Sequence, residues 1–452
     1  MRVGICVLGC DKNTVDAEQL AGLLIAQGLE VCAVAGPPPA GQPLDAVVVV
    51  SCGFTNQARE ENIARIVEWA EFKKTEQSAL RLYVGGCLSQ RYAKDLSSTL
   101  PEIDGLVGVG SWPQLASMIA RNKPQSLKPQ PSRKRILVEH RSTYRAPLDA
   151  APYAFLKISD GCDHQCSFCS IPLMKGRFSS CPRPQLLNDA RQLIERGARE
   201  INVIAQDVSQ YGRDRYSRLR LVQLLEDLLE LPGDFRLRLL YCYPGGVSDD
   251  LLKLLAEHPK FCRYLDLPLQ HLDPAMLRAM RRPRWQLSAQ QLIGRVRERV
   301  PGIAIRTSLM VGFPGERPHA FRQLLNGVRQ LRFDWMGAFV FSPEEGTPAA
   351  SLPRQVGAAV KQRRFEQLLS EQSRIAAELA QARVGRQLRV LIEGCAEDDE
   401  RLYLGRSEHE APEVDGLIFV NSVQALRVGD FCQVKITGAS TYDLFAECVP
   451  EK

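Results

Sequence analysis

The sequence predicts an α/β protein in three parts: an N-terminal doubly wound parallel sheet, a central partial (β/α) barrel and a small C-terminal β-barrel. Three observations carry this reading. Apolar, β-branched runs alternate with helix-like segments over the first 121 residues. The alternation resumes after a Pro-rich basic stretch and continues to residue 382. Short strands with no helices between them then run to the end of the 452-residue chain.

In the first part, strands are expected at 3–8, 46–50 and 82–84, with helices at 15–27 and 58–74. Residues 122–150 read as a linker, because Pro, Ser, Lys and Arg crowd there. In the second part, 151–382, strands are expected at 154–159, 201–205, 236–241, 264–267, 303–311 and 336–341, separated by helices such as 186–196 and 219–231 and closed by a long helix over 361–382. Six such repeats suit a partial barrel, whose chemistry belongs at the carboxyl ends of the strands. The third part, 383–452, offers strands at 388–392, 402–404, 416–420 and 431–436.

With 45% hydrophobic and 24% charged residues, disordered and fibrous chains are excluded. The longest apolar runs are far too short to span a bilayer, and the first residues show no secretory pattern, so a cytoplasmic protein without a membrane partner is expected. The net charge of +6 favours acidic partners only weakly. In a reducing compartment the 14 cysteines are expected to be free thiols.

Two cysteine sets stand out. Cys162-Asp163-His164-Gln165-Cys166-Ser167-Phe168-Cys169 follows the first strand of the barrel block. Three thiolates on one loop suit an iron–sulfur cluster with one iron left open, or zinc completed by His164. Cys10, Cys52 and Cys87 each follow a predicted parallel strand and have glycine neighbours, at intervals of 42 and 35 residues. In an open parallel sheet such strand ends line one crevice, so the three can converge on one site or be unrelated buried thiols. Cys6, Cys32, Cys242, Cys262, Cys395, Cys432 and Cys448 read as structural.

The first loop, in its place after a barrel strand, resembles that of the radical S-adenosylmethionine superfamily. The chain as a whole resembles the methylthiotransferases, and within them the ribosomal-protein branch. The matching segments are Leu8-Gly9-Cys10-Asp11-Lys12-Asn13-Thr14-Val15-Asp16, Ser51-Cys52-Gly53-Phe54, Gly86-Cys87-Leu88-Ser89-Gln90-Arg91-Tyr92, Ser159-Asp160-Gly161-Cys162, Ala205-Gln206-Asp207, Leu265-Asp266-Leu267-Pro268-Leu269-Gln270-His271, Val311-Gly312-Phe313-Pro314-Gly315-Glu316 and Glu344-Glu345-Gly346-Thr347-Pro348. The resemblance implies a [4Fe–4S] cluster on Cys162, Cys166 and Cys169 that binds and cleaves S-adenosylmethionine. It implies a second [4Fe–4S] cluster on Cys10, Cys52 and Cys87 that carries the transferred sulfur. It further implies a reducing electron donor, a sulfur donor and a substrate aspartate modified at its β-carbon, with no catalytic residue beyond the cluster ligands.

Gln206, Asp207, Gln270, Gly312 and Glu316 fall at predicted strand ends and are the expected contacts to S-adenosylmethionine. Asp207 also reads as a helix cap, Gly312–Glu316 as a plain turn, and His271 as a hydrogen-bonding structural residue. Two positions depart from the family: Lys175-Gly176 and Ser180-Cys181-Pro182 stand where Arg-Gly and Ser-Arg-Pro are common. The terminal block resembles a TRAM domain but carries eight basic residues against thirteen acidic ones. Nucleic-acid modules are basic, so transfer RNA is disfavoured and a basic small-subunit ribosomal protein is the expected substrate. Within the same chemistry the alternative is a transfer-RNA adenosine methylthiotransferase; outside it, a non-catalytic RNA-binding iron–sulfur or zinc protein.

Overall fold

The computed structural model describes residues 1–38, 43–121, 145–148, 150–282, 287–396 and 398–449. Most of the expected linker, 122–150, lies outside them. The N-terminal unit is a five-stranded, all-parallel sheet of β1 (Arg2–Val7), β2 (Glu30–Ala33), β3 (Ala46–Ser51), β4 (Arg81–Gly86) and β5 (Ile103–Val107), in the order β2-β1-β3-β4-β5. Helices α1 (Asp11–Ile25), α2 (Asn56–Thr75), α3 (Cys87–Thr99) and α4 (Trp112–Ala120) alternate with the strands. β3 lies between two neighbours with both faces covered, so Val47, Val48, Val49 and Val50 are all fully buried and read as one apolar run.

Strands β2 and β5 have no counterpart among the expected elements. β2 is a half-exposed edge strand, Glu-Val-Cys-Ala, with too little apolar pattern to be seen. In β5 the Asp104-Gly105 pair mimics a turn. The Asp104 carboxylate instead bonds Lys73, Arg81 and the Leu82 amide, pinning β5 to its neighbours. α1 begins at Asp11, four residues before its expected start, because Cys10 supplies the cap position.

The central unit has six parallel strands in two triplets. β6 (Tyr153–Lys157), β7 (Glu200–Ile204) and β8 (Arg236–Leu239) run β8-β7-β6, and β9 (Tyr264–Asp266), β10 (Ala304–Val311) and β11 (Trp335–Val340) run β9-β10-β11. A bridge from Leu237 to Phe261 joins the triplets at the β8–β9 seam. The barrel is therefore partial, with β6 and β11 as its edges. Helices α5 (Arg183–Glu195), α6 (Leu221–Leu229), α7 (Asp249–Glu257), α8 (Ala289–Arg299) and α9 (Pro318–Leu331) return between strands, and α10 (Ala358–Gln381) follows β11. Their apolar faces build the largest core of the molecule, from Leu156 to Ile375.

The C-terminal unit is a closed five-stranded barrel of β12 (Gln387–Ala396), β13 (Asp399–Arg406), β14 (Ile418–Asn421), β15 (Phe431–Ala439) and β16 (Leu444–Cys448). β16 was not among the expected strands. It pairs with both β14 and β15 and so closes the barrel.

This barrel docks on the amino ends of the central strands through a buried charge network. Glu200, the first residue of β7, takes Arg236 and Arg238 from β8 and Arg406 from β13. Arg238 also donates to the carbonyls of Ser407 (3.1 Å) and Glu408 (2.8 Å). Tyr264 donates to Asp415 (2.6 Å), Arg306 lies 3.4 Å from the same carboxylate, and Trp335 Nε1 donates to the His409 carbonyl (2.7 Å).

Several acids of this block are engaged inside the chain. Glu410 and Asp415 have side chains only 2% and 1% exposed, spent on Arg383 and on Tyr264 and Arg306. Glu393 pairs with Arg406, Glu408 with Arg263, and Glu413 accepts from Tyr153. These five of the thirteen acidic side chains are therefore engaged within the chain.

Candidate catalytic centre between two cysteine sites

The first cysteine site forms where β1, β3 and β4, neighbours in the sheet, end. Cys10 caps α1, Cys52 follows β3 directly, and Cys87 opens α3 directly after β4. The glycines are what allow the approach. Gly9 has φ +99°, and a Cβ there would stand 2.5 Å from the Cys52 Cβ. Gly86 has φ +107°, and its Cβ would meet the Ser51 carbonyl oxygen at 2.6 Å. The Cys52 amide donates to Asn62 Oδ1 (2.7 Å), and Asn13 Nδ2 donates to the Leu8 carbonyl (2.7 Å), fixing both loops.

Burial pushes the Cys52 thiol up and the Cys87 thiol up to about 12, with Cys10 adding to both rises and Lys175 opposing them. The three sulfurs are thus near enough to sense one another's charge. Cys10 and Cys87 sit at helix amino ends, and Cys52 lies in the loop between β3 and α2. Gly9→Ala is expected to bind less iron than wild type after reconstitution, a result that iron analysis beside a Cys10→Ala control checks.

The second site is the loop after β6. It is clasped by a small hairpin, Ser159–Asp160 against Ser179–Ser180. Gly161 has φ +75°, and a Cβ there would fall 2.3 Å from the Arg177 carbonyl oxygen. The Cys162 amide donates to the Gly176 carbonyl (3.2 Å), and the Ser167 amide to that of Met280 (3.0 Å). Burial raises all three thiols, Cys169 to about 12. Arg282 opposes the rise at Cys166, its Nη1 lying 3.9 Å from the sulfur. Sequence reading missed Arg282. It stands in a run of arginines that resembles a solvated turn, yet it is buried, donates to the Pro268 carbonyl (2.6 Å) and lies over the Tyr243 ring.

His164 does not join the cysteines. Its Nε2 is 2.7 Å from Asp207 Oδ2, and its ring stacks on Tyr243 at 4.1 Å. Among the described residues no three His, Cys, Asp or Glu side chains are gathered as a single ion would need. The donor set suits a cluster instead: three thiols on one loop, with no fourth cysteine beside them.

The other expected site residues divide. Gln206, just past β7, has its Oε1 buried without a hydrogen-bond partner, an acceptor left for a ligand. Gln270, half-buried past β9, has φ +69° and is held by backbone bonds to Ser308 and Met310. Gly312 (φ +76°) lets the Lys361 stem pass where a Cβ would clash at 2.4 Å. Asp207 and Glu316 are instead engaged within the protein. Asp207 caps the turn Val208–Gln210 through Ser209 and holds His164. Glu316 accepts from the Gly312 amide (2.6 Å) and Arg364 (2.7 Å) and faces His271 Nε2 (3.2 Å). The Asp273 amide donates to His271 Nδ1, which leaves Nε2 to face Glu316, a structural role.

A buried square of charge joins the two sites. Asp16 on α1 meets Lys157 and Lys175 (3.1 Å), and Asp160 takes Lys157 (2.8 Å) and Lys175 (3.6 Å). Lys175, in place of the family's common Arg, therefore binds two carboxylates across the interface. A second clamp places Glu344 on Arg59 and the Asn56 amide (3.1 Å). Cys181 is core: its sulfur lies against the Lys157 carbonyl (3.4 Å).

Comparison with known proteins accords with this architecture. Residues 2–108 match the model of the uncharacterized protein family UPF0004, 156–327 the radical SAM superfamily and 384–449 the TRAM domain. The radical S-adenosylmethionine methyltransferase TsrM from Kitasatospora setae, solved with cobalamin and a [4Fe–4S] cluster, shares the fold at a TM-score of 0.56 and 16% identity, covering 77% of each chain. Proteins named ribosomal protein uS12 methylthiotransferase RimO are similar throughout. That of Geotalea uraniireducens is 40% identical, covering 99% of this chain and 98% of its own. That of Anaeromyxobacter sp. is 41% identical, covering 99% and 93%.

Fold and site thus define a radical-SAM enzyme, a transferase whose class works with S-adenosylmethionine and [4Fe–4S] chemistry. Within that class, the chain belongs to the RimO methylthiotransferase family. Among the described residues no helix is long and apolar enough to cross a membrane.

Proposed function

We propose that this enzyme adds a methylthio group to the β-carbon of an aspartate in ribosomal protein uS12, in the cytoplasm, with two [4Fe–4S] clusters and S-adenosylmethionine as co-substrate. Residues 1–121 would hold one cluster through Cys10, Cys52 and Cys87. Residues 151–382 would hold the other through Cys162, Cys166 and Cys169, and residues 383–452 form the TRAM-like domain. The observation that carries the reading is that both cysteine triads flank one buried interface, tied by Asp16, Lys157, Asp160 and Lys175. The uS12 substrate comes from the relatives' names, which favour it over transfer RNA.

When bound in the barrel, a reduced cluster and S-adenosylmethionine supply a radical strong enough to take hydrogen from an inert C–H bond. The chain's own residues bind and orient. Gln206 Oε1 offers an acceptor to the amino group of S-adenosylmethionine. Gln270 and the Gly312 backbone line the same mouth. Asp207 and Glu316 act one step back, the first fixing His164 in the cluster loop and the second fixing the turn 312–316. Arg282 places positive charge at Cys166 and favours its thiolate. The electron donor and sulfur donor come from outside the chain.

The test is mass spectrometry after anaerobic reconstitution with S-adenosylmethionine, reductant, sulfide, small ribosomal subunits and bulk transfer RNA. A methylthio label on a uS12 aspartate is expected. Label on an adenosine instead would overturn the substrate, and no label without 5′-deoxyadenosine would overturn the enzymatic reading.

A further inference from the structure

Lys12 is a cation that the two cysteine sites leave unexplained. It stands two residues after Cys10, at the start of α1, and is buried. Its ammonium leaves the N-terminal sheet and lies 2.9 Å from the ring centroid of Tyr241. Tyr241 follows β8 at the mouth of the barrel, and two residues on, Tyr243 stacks on His164 of the Cys162 loop. Lys12 therefore reaches from the first cysteine site toward the second.

Among the described residues the other cations of this interface are committed. Lys157 and Lys175 hold Asp16 and Asp160, Arg59 and Arg91 face Glu344, and Arg282 donates to the Pro268 carbonyl beside Cys166. Lys12 pairs with its neighbour Asp11, at 3.0 Å, and that carboxylate also accepts the Lys12 amide. An ammonium has three donors; one meets Asp11 and another faces the ring, so a donor remains for a ligand. An aspartate side chain entering between the sites must leave water, which is costly for a carboxylate without a cationic partner. Its carboxylate is one bond from the β-carbon, so the group that holds it must lie between the two sites.

We propose that Lys12 binds the side-chain carboxylate of the substrate aspartate and selects aspartate over its amide. This rests on the methylthiotransferase reading above. The test uses the full-length holoenzyme and two peptides copying the uS12 segment around the labelled aspartate, one with Asp and one with Asn at the target position, with binding read by fluorescence anisotropy. Wild type is expected to prefer the Asp peptide about tenfold, the size of one charge-assisted hydrogen bond. Lys12→Met is expected to bind both alike, and Lys12→Arg to restore the preference. Should Lys12→Met fail to fold, Lys12→Gln is read by the same criterion. A variant without the cation that keeps the tenfold preference overturns the assignment, as does a wild type that labels uS12 yet shows no preference. A wild type that labels no uS12 aspartate overturns the function itself.

Discussion

Alanine at Cys162 is expected to abolish S-adenosylmethionine cleavage, whereas alanine at Cys10 is expected to leave cleavage intact and stop sulfur insertion. The asymmetry follows from where each cysteine lies. Cys162 opens the barrel loop clasped by the hairpin Ser159–Asp160 and Ser179–Ser180, beside Gln206 with its unpartnered Oε1. Cys10 lies across the interface on the N-terminal sheet, where its neighbours are Cys52 and Cys87. Each substitution removes one of three thiolates, and iron content should fall by about half in either variant, since each site would hold four of eight irons. The Cys162 variant should release no 5′-deoxyadenosine. A β C–H bond is too inert for acid–base removal, so no side chain of the mouth can substitute. The Cys10 variant should release 5′-deoxyadenosine without adding mass to uS12. Sulfur insertion by that variant would show that the two triads are not two centres with separate tasks.

The N-terminal triad is visible in the sequence because Cys10, Cys52 and Cys87 each follow an apolar strand beside a glycine, and the barrel triad because Cys162, Cys166 and Cys169 share one short loop. Even the out-of-order sheet did not hide them: β2 lies at the outer edge, so β1, β3 and β4 remain neighbours. What the sequence could not show were partners contributed from far along the chain. Asp207 and Glu316 sit at the expected strand ends, but His164 in one case and Arg364 in the other occupy their oxygens. Lys175 reads in the sequence only as a departure from the common Arg, and its partner Asp16 stands 159 residues away. The acidic count of the last block likewise does not tell where its acids are engaged, because a net charge is blind to the residues of the same chain that face them. β5 was hidden by Asp104-Gly105, a local turn signal overridden by cross-strand ion pairs.

Glutamine at Glu200 is expected to destabilise the protein by about 3–5 kcal/mol, the cost of leaving buried cations without their counter-ion. Glu200 is fully buried and serves Arg236, Arg238 and Arg406 at once. Glutamine keeps the shape and loses the charge, so the shortfall is electrostatic rather than a cavity. Arg406 retains Glu393 and the Glu410 carbonyl, but Arg236 and Arg238 have no other carboxylate among their bonds in the described residues. Because Arg406 belongs to the C-terminal barrel, the weakness should appear first at the docking of residues 383–452, as faster proteolytic release of that barrel and a lower urea midpoint. The pH dependence gives a second reading. Burial opposes ionisation of Glu200, yet the three arginines hold its carboxyl well below the usual carboxylate range. A depressed folded pKa contributes stability that is fully present above the unfolded value of about 4.3 and is lost as pH falls through the folded one. The gap between wild type and Glu200→Gln should therefore be constant near neutrality and narrow only as the pH falls below about 4.3. A gap already narrowing at pH 6 would mean that Glu200 is not the ionised hub on which the C-terminal barrel docks.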